Sequence, residues 1–150
     1  MASISTYMLL KAIHIVSFAI WSSIALGGYI IIRYAINKKY SRDSSALDTD
    51  ALHCSILSGY LSIAYIQAGS FMVILATGFT MASMISWPDW SVHASYLAVI
   101  ITLLETLHIA IARRARTRCR VDIIARWYGA LTIGYIPFYI LILYYMVFKP

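Results

Sequence analysis

The chain is poor in charged residues, and acidic residues are the scarcest of them. Only 12% of its 150 residues are charged, and Asp and Glu together number six; an ordinary soluble domain has about 25% charged residues. Glu105 is the single glutamate. A di-iron carboxylate bundle combines two Glu-x-x-His motifs with two further glutamates. The Glu105–His108 spacing therefore does not indicate such a site within one chain.

Cysteine is equally scarce. The chain has two cysteines, Cys54 and Cys119, and no C-x-x-C motif, which argues against a disulfide-generating membrane enzyme. Both cysteines fall on the side of the chain that the basic residues place in the cytoplasm, where disulfides are rare. We therefore expect no disulfide framework.

Apolar residues are abundant, because 61% of the chain is hydrophobic and the mean hydropathy is +0.77. They form four stretches, each of which reaches the roughly 20 residues that a membrane-spanning helix needs: 7–32, 56–85, 92–112 and 123–148. The predicted fold is all-α, an integral membrane four-helix bundle in a single transmembrane domain, with loops at 33–55 and 113–122. The first stretch is longer than the apolar core of a signal peptide, so we expect a retained helix.

Basic residues are concentrated on one side of the predicted bundle. Ten of the twelve lie in or beside the two predicted loops, namely Arg33, Lys38, Lys39, Arg42, Arg113, Arg114, Arg116, Arg118, Arg120 and Arg126. The positive-inside rule then places both loops in the cytoplasm and both termini outside the inner cell membrane. The arginine cluster is short and lies between two membrane helices, so it gives no support to nucleic-acid binding.

Four histidines divide between the two sides of the predicted bundle. His14 and His93 lie toward the outer side, and His53 and His108 toward the inner side. An imidazole inside an apolar segment, as for His14 and His108, is costly and usually functional. Paired histidines of a helix bundle can ligate b-type haem. The sequence therefore predicts metal-ligating residues among His14, His108 and His93, with one haem favoured over two.

Each of these residues also has a simpler interpretation. The histidines could be hydrogen-bonded within the bundle or lie at its interfaces. Lys11 could extend to the outer interface or contact a haem propionate. Glu105 could relay protons, hold a haem-ligating His108 in position, or pair with an arginine from Arg113 onward. Trp21 is a second candidate for holding the site in position.

Short motifs at both ends of the chain resemble known membrane proteins. The run from Leu9 to Ile15, with Trp21 after it, resembles the opening of HemJ-type protoporphyrinogen oxidases, and Trp90-Ser91-Val92-His93-Ala94 resembles their third helix. The ending Met146–Pro150 more closely resembles an uncharacterised family of small four-helix integral membrane proteins. The resemblance implies that His14 is the haem ligand or catalytic-site residue, assisted by His93 or His108. The chain has Ser95 and Tyr96 where the HemJ type has a lysine.

The functional hypothesis is a multi-pass membrane protein that binds haem b and takes part in membrane electron transfer or haem-dependent redox chemistry. Paired histidines would make an electron carrier, whereas a single axial histidine would leave a position open for oxidase-like chemistry. The alternative is a cofactor-free accessory subunit of a larger membrane complex. The expected partner is the lipid bilayer; a redox partner, a larger complex and a homo-oligomer all remain open.

Overall fold

Four helices make up the fold. A computed structural model describes residues 4–40, 46–85 and 89–148. The helices are α1 (Ile4–Tyr40), α2 (Ala46–Met84), α3 (Asp89–Thr117) and α4 (Val121–Phe148), and no strand occurs in the described ranges. The all-α, four-helix prediction is confirmed.

The helices form a closed ring in chain order. Each helix packs on the next, and α4 returns to α1; the α1–α2 interface is the most extensive of the four. Short connections make consecutive helices antiparallel neighbours in such a bundle. α1 and α3 therefore face each other across the core, where the largest fully buried side chains lie: Trp21, Ile32, Leu57 and Ile101.

The outer surface of the bundle is strongly apolar. Three helical segments are long and apolar enough to cross a membrane: Ile4–Tyr34, Ala51–Met84 and Ser91–Thr117. Large apolar side chains are exposed on all four helices, for example Leu9, Met72, Leu103 and Ile133. A soluble monomer rarely exposes such extensive apolar area, so the described surface suits lipid better than water. The fourth crossing and the location of the termini stay predictions.

The helices are longer than the hydropathy pattern predicts. α1 continues to Tyr40 and α2 begins at Ala46, so most of the predicted loop 33–55 is helical; residues 41–45 lie outside the described ranges. The predicted loop 113–122 likewise narrows to the residues between Thr117 and Val121. The helices extend further because a drop in hydropathy marks only where a helix leaves an apolar environment, and not where the helix ends. The backbone hydrogen bonds continue past that point.

The α3–α4 turn has a specific backbone conformation. Cys119 has a φ of 48°, the left-handed conformation common just after a helix end, and the Arg120 N–H donates to the Ala115 carbonyl at 3.0 Å. This six-to-one bond is the hydrogen bond of a Schellman motif. Beyond it, the Arg120 guanidinium donates two hydrogen bonds to Asp122, at 3.1 and 2.6 Å. The motif fixes the short reversal from α3 into α4.

The structure joins the two cysteines, which corrects our expectation of no disulfide. Cys54 in α2 and Cys119 in the turn form a disulfide, with their Cα atoms 4.6 Å apart. The two cysteines are 65 residues apart in the sequence, so their spacing does not indicate that they pair. Our expectation rested on their predicted cytoplasmic location, which says nothing about whether they are close in space. The bond ties the first part of α2 to the end of α3.

Gly28 allows α1 to approach the ring of Tyr60 on α2. A Cβ built on Gly28 would lie 3.1 Å from Tyr60 Cε2 and 3.5 Å from the Tyr128 hydroxyl. Tyr60 is only 2% exposed, and its hydroxyl is hydrogen-bonded to His108, so the ring has little freedom to move away. A Cβ built on neighbouring Gly27 has no atom of another described residue within 4 Å, apart from its own stretch of helix.

These two glycines supply a matched test of the α1–α2 packing. We expect Gly28→Ala to destabilise the bundle by about 1–3 kcal/mol, the usual cost of overpacking a tight core. Gly27→Ala should be neutral or slightly stabilising, because alanine is the better helix former. Thermal unfolding of the detergent-solubilised variants checks this, and equal midpoints for the two variants would contradict the described packing.

Candidate functional site: a buried polar network beside a cavity

A buried carboxylate lies at the centre of the bundle. Glu105 on α3 is 3% exposed, and its Oε1 atom accepts hydrogen bonds from Trp21 Nε1 at 2.7 Å and Gln67 Nε2 at 2.9 Å. These donors come from α1 and α2, so three helices meet at one oxygen. Burial of a charged or polar group is costly unless it is hydrogen-bonded, and the two donors meet that requirement at Oε1.

His108 follows Glu105 by one helical turn and is buried with it. Its Nδ1 atom lies 4.0 Å from Glu105 Oε2, and its Nε2 atom is hydrogen-bonded to the Tyr60 hydroxyl at 2.5 Å. Within the described ranges neither Glu105 Oε2 nor His108 Nδ1 has a hydrogen-bond partner. Each such buried group costs about 1–3 kcal/mol. The pair is therefore the least satisfied part of the network.

Two tyrosines extend the network toward α4. The Tyr60 ring packs against His108 at a centroid distance of 5.7 Å and against Tyr128 edge-on at 6.5 Å. The Tyr128 hydroxyl donates to the Ala25 carbonyl on α1 at 2.8 Å. Glu105, His108, Tyr60 and Tyr128 thus form a continuous series of protonatable side chains from the core to the α1–α4 interface.

A cavity of about 410 Å³ lies where this series ends. Its walls come mainly from α1 and α4, and Gln67 and His108 contribute the polar part from α2 and α3; the lining residues are Ser22, Ala25, Leu26, Tyr29, Gln67, His108, Tyr128, Leu131, Tyr135 and Ile136. Ligand pockets commonly span about 300–1,000 Å³. The cavity can therefore hold a small ring or part of a lipid.

His14 lies in a second polar contact, between α1 and α2. Its Nδ1 atom is 2.9 Å from Thr77 Oγ1, and that hydroxyl donates to the Val73 carbonyl at 2.7 Å. Because the Thr77 proton is used in this way, the hydroxyl accepts from His14 Nδ1–H. Neutral imidazole then carries a lone pair on Nε2. The ring lies against Gly78, whose built Cβ would be 3.3 Å from His14 Cε1.

The structure places two of the predicted ligands, His14 and His108, far apart. The partners of His14 and His108 are Thr77 and Tyr60, which are 17 residues apart on α2, or about 25 Å along the axis. His93 and Lys11 are exposed, on α3 and α1, while His53 is buried in α2. Among the described residues no group of three or more His, Cys, Asp or Glu side chains could hold a metal ion; a haem needs only one or two histidines.

Sequence reasoning identified some of these residues and missed others. Glu105 and Trp21 were expected near the same site, and they contact each other directly. The described partners of Glu105 are Trp21, Gln67 and His108, rather than an arginine. Gln67, Tyr60 and Thr77 were missed. Gln67 carried a usable signal, because it is the only amide side chain in the apolar stretch 56–85 and polar residues inside such stretches are costly.

Comparison with known proteins gives no relative. No protein-family model, no curated protein and no solved structure matches the chain.

The central carboxylate supplies the next test. Glu105→Leu leaves the Trp21 and Gln67 donors buried without an acceptor, so we expect a loss of stability of about 2–5 kcal/mol from the two together. Glu105→Gln retains an acceptor oxygen of similar shape and should lose at most about half as much. Thermal unfolding followed by tryptophan fluorescence measures both variants. Equal stability of Glu105→Leu and the wild type would show that this network does not hold the helices.

Proposed function

We propose that this chain is a multi-pass protein of the inner cell membrane that binds b-type haem through His14 and takes part in membrane redox chemistry. The apolar outer surface and the three membrane-compatible helices support the membrane part of the proposal. The hydrogen bond from His14 to Thr77 supports the haem part.

The His14–Thr77 contact is the observation that carries the haem proposal. Histidine ligands usually donate their second ring N–H to a neighbouring oxygen, which fixes the tautomer and the ring orientation. The Thr77 hydroxyl supplies such an oxygen for Nδ1 and leaves the Nε2 lone pair for a metal. The half-buried position of His14 is compatible with a haem that reaches it from the side of the α1–α2 pair. A bound haem would supply reversible one-electron chemistry.

The proposal assigns different roles to the other predicted residues. Lys11 is exposed one turn before His14 on α1, where its ammonium group can pair with a propionate. Both ring nitrogens of His108 face protein side chains, Tyr60 and Glu105, so His108 is a weaker axial candidate than His14. His93 is exposed near the start of α3, where it could approach a haem from outside the core.

A visible spectrum tests the haem proposal. Purified wild-type protein, expressed with adequate haem supply, should show a Soret band and, after dithionite reduction, an α band. His14→Ala should abolish both bands, while His53→Ala, a histidine outside the proposed site, should retain them. Thr77→Val keeps the side-chain shape but loses the acceptor, so haem affinity should fall about 10- to 100-fold.

Other results of the same experiment would contradict the haem proposal. Absence of both bands in the wild-type protein would contradict haem binding and favour the cofactor-free accessory subunit. Bands that survive in His14→Ala but vanish in His93→Ala or His108→Ala would move the ligand to another histidine. Circular dichroism of each variant distinguishes loss of haem from loss of the fold.

Topology is a separate part of the proposal. The arginines around the α3–α4 turn and the basic residues after the first apolar stretch favour a cytoplasmic location for that end of the bundle, so both termini should be outside. The Cys54–Cys119 disulfide lies at the same end and favours the opposite orientation, because disulfides persist in oxidising compartments. A periplasm-active phosphatase fused after residue 150 should be active, and the same enzyme inserted after Arg118 should be inactive. The opposite pattern would reverse the orientation without affecting the haem test.

A further inference from the structure

We infer that two arginines at the seam between α2 and α3 form a binding site for the phosphate headgroup of an anionic membrane lipid. The guanidinium groups of this seam site belong to Arg113 and Arg116 of α3. They lie against Tyr65 and Ser58 of α2. The inference rests on the membrane placement in the proposed function and does not involve the proposed haem. It is also independent of orientation, because a bilayer has headgroups at both surfaces.

Contacts across the seam hold both guanidinium groups in place. The Arg113 Cζ atom lies 5.7 Å from the centroid of the Tyr65 ring, which is a cation–π arrangement. The Arg116 Nε atom donates a hydrogen bond to Ser58 Oγ at 3.2 Å. Ser58 and Tyr65 are seven residues apart, nearly two helical turns, so they share one face of α2. An arginine that is already ordered loses less conformational entropy when it binds a ligand.

The seam arginines keep their charge and most of their hydrogen-bond donors. Within the described ranges neither is paired with a carboxylate, whereas Arg120 and Arg126 both pair with Asp122. The bond to Ser58 uses one of the five N–H donors of Arg116, and a cation–π contact uses none. Guanidinium groups bind phosphate through parallel N–H···O bonds. A phosphate with several acceptor oxygens therefore matches this pair of arginines.

The position of the seam favours a lipid over a soluble anion. The two arginines lie near the end of the α3 segment that is apolar enough to cross a membrane, and Tyr65 lies within the corresponding segment of α2. Met72 follows Tyr65 by seven residues, and Val99 precedes Arg113 by fourteen, so each lies on the same helix face as its partner. Both are 59% exposed. An amphiphile can thus place its phosphate on the arginines and its acyl chains along the apolar faces.

Lipid exchange on the purified full-length protein tests the inference. In mixed detergent micelles, native mass spectrometry should show that the protein retains phosphatidylglycerol in preference to phosphatidylcholine. The double variant Arg113→Gln/Arg116→Gln should retain phosphatidylglycerol at least about tenfold more weakly, because it loses both cationic groups of the seam site. Equal retention of the two lipids by the wild-type protein would overturn the inference.

A second double variant, Arg114→Gln/Arg118→Gln, is the matched control. It removes the same charge from the same end of the bundle. Both side chains are exposed, and in the described part of the chain neither forms a hydrogen bond, an ion pair or a cation–π contact with α2. This variant should bind phosphatidylglycerol nearly as well as the wild type. Equal losses in the two double variants would overturn the assignment, because binding would then depend on net charge alone.

The ring beneath Arg113 supplies a test that leaves the charge unchanged. Tyr65→Leu removes the aromatic face and should weaken binding of phosphatidylglycerol. Tyr65→Phe retains that face and should bind like the wild type. Circular dichroism shows whether each variant keeps its helices. Equal binding by these two variants would contradict the proposed geometry of the seam site.

Competition distinguishes a lipid headgroup from other phosphates. Soluble glycerol phosphate and a short oligonucleotide carry the same phosphate chemistry without acyl chains, so neither should displace phosphatidylglycerol at an equal concentration of phosphate. Displacement by glycerol phosphate would replace the lipid with a soluble anion as the ligand. Displacement by the oligonucleotide would make the arginines a nucleic-acid surface, and either result would overturn the lipid assignment.

The haem and lipid proposals fail separately. His14→Ala should lose haem and still retain phosphatidylglycerol like the wild type. Absence of haem together with selective lipid binding would overturn the haem proposal alone, whereas haem bands without lipid selectivity would overturn the lipid inference alone. Release of the protein from native membranes by alkaline carbonate would overturn the lipid inference together with the membrane placement on which it rests.

Discussion

The hydrogen-bonded carboxylate of Glu105 is the constraint on which the rest of the bundle depends. In an apolar interior each polar group must find its partner within the protein, so one glutamate on α3 determines where α1 and α2 must place Trp21 and Gln67. Apolar contacts alone would tolerate several axial registers of these helices, because hydrophobic packing is not directional. The two donors select one register, and Phe71 and Tyr135 then pack around Trp21.

The sequence predicted best those features that depend on residues near each other along the chain. Hydropathy identified four helices, since every apolar stretch of sufficient length became one. It underestimated their lengths, because polar residues such as Lys38 and Asp48 are compatible with helix outside an apolar layer. The need of His14, His108 and Glu105 for hydrogen-bond partners within the bundle could also be anticipated from the cost of placing such groups in apolar segments.

Sequence reasoning could not supply the pairings. Thr77 is 63 residues from His14, and Tyr60 is 48 residues from His108; nothing in their spacing relates them. Each contact depends on the helix order around the ring and on the rotation of each helix about its axis. Gly28 illustrates the point, because its role is evident only once Tyr60 lies against it. The disulfide between Cys54 and Cys119 was missed for the same reason.

That disulfide has a mechanical consequence for the bundle. It closes residues 54–119, most of α2 and all of α3, into one covalent loop that a thermal fluctuation cannot open. α1 and α4 lie outside this loop, and they supply most of the cavity walls. The bundle is thus divided into a tethered half, which carries Gln67, Glu105 and His108, and an untethered half. The cavity therefore lies between the two helices that the disulfide leaves outside its loop.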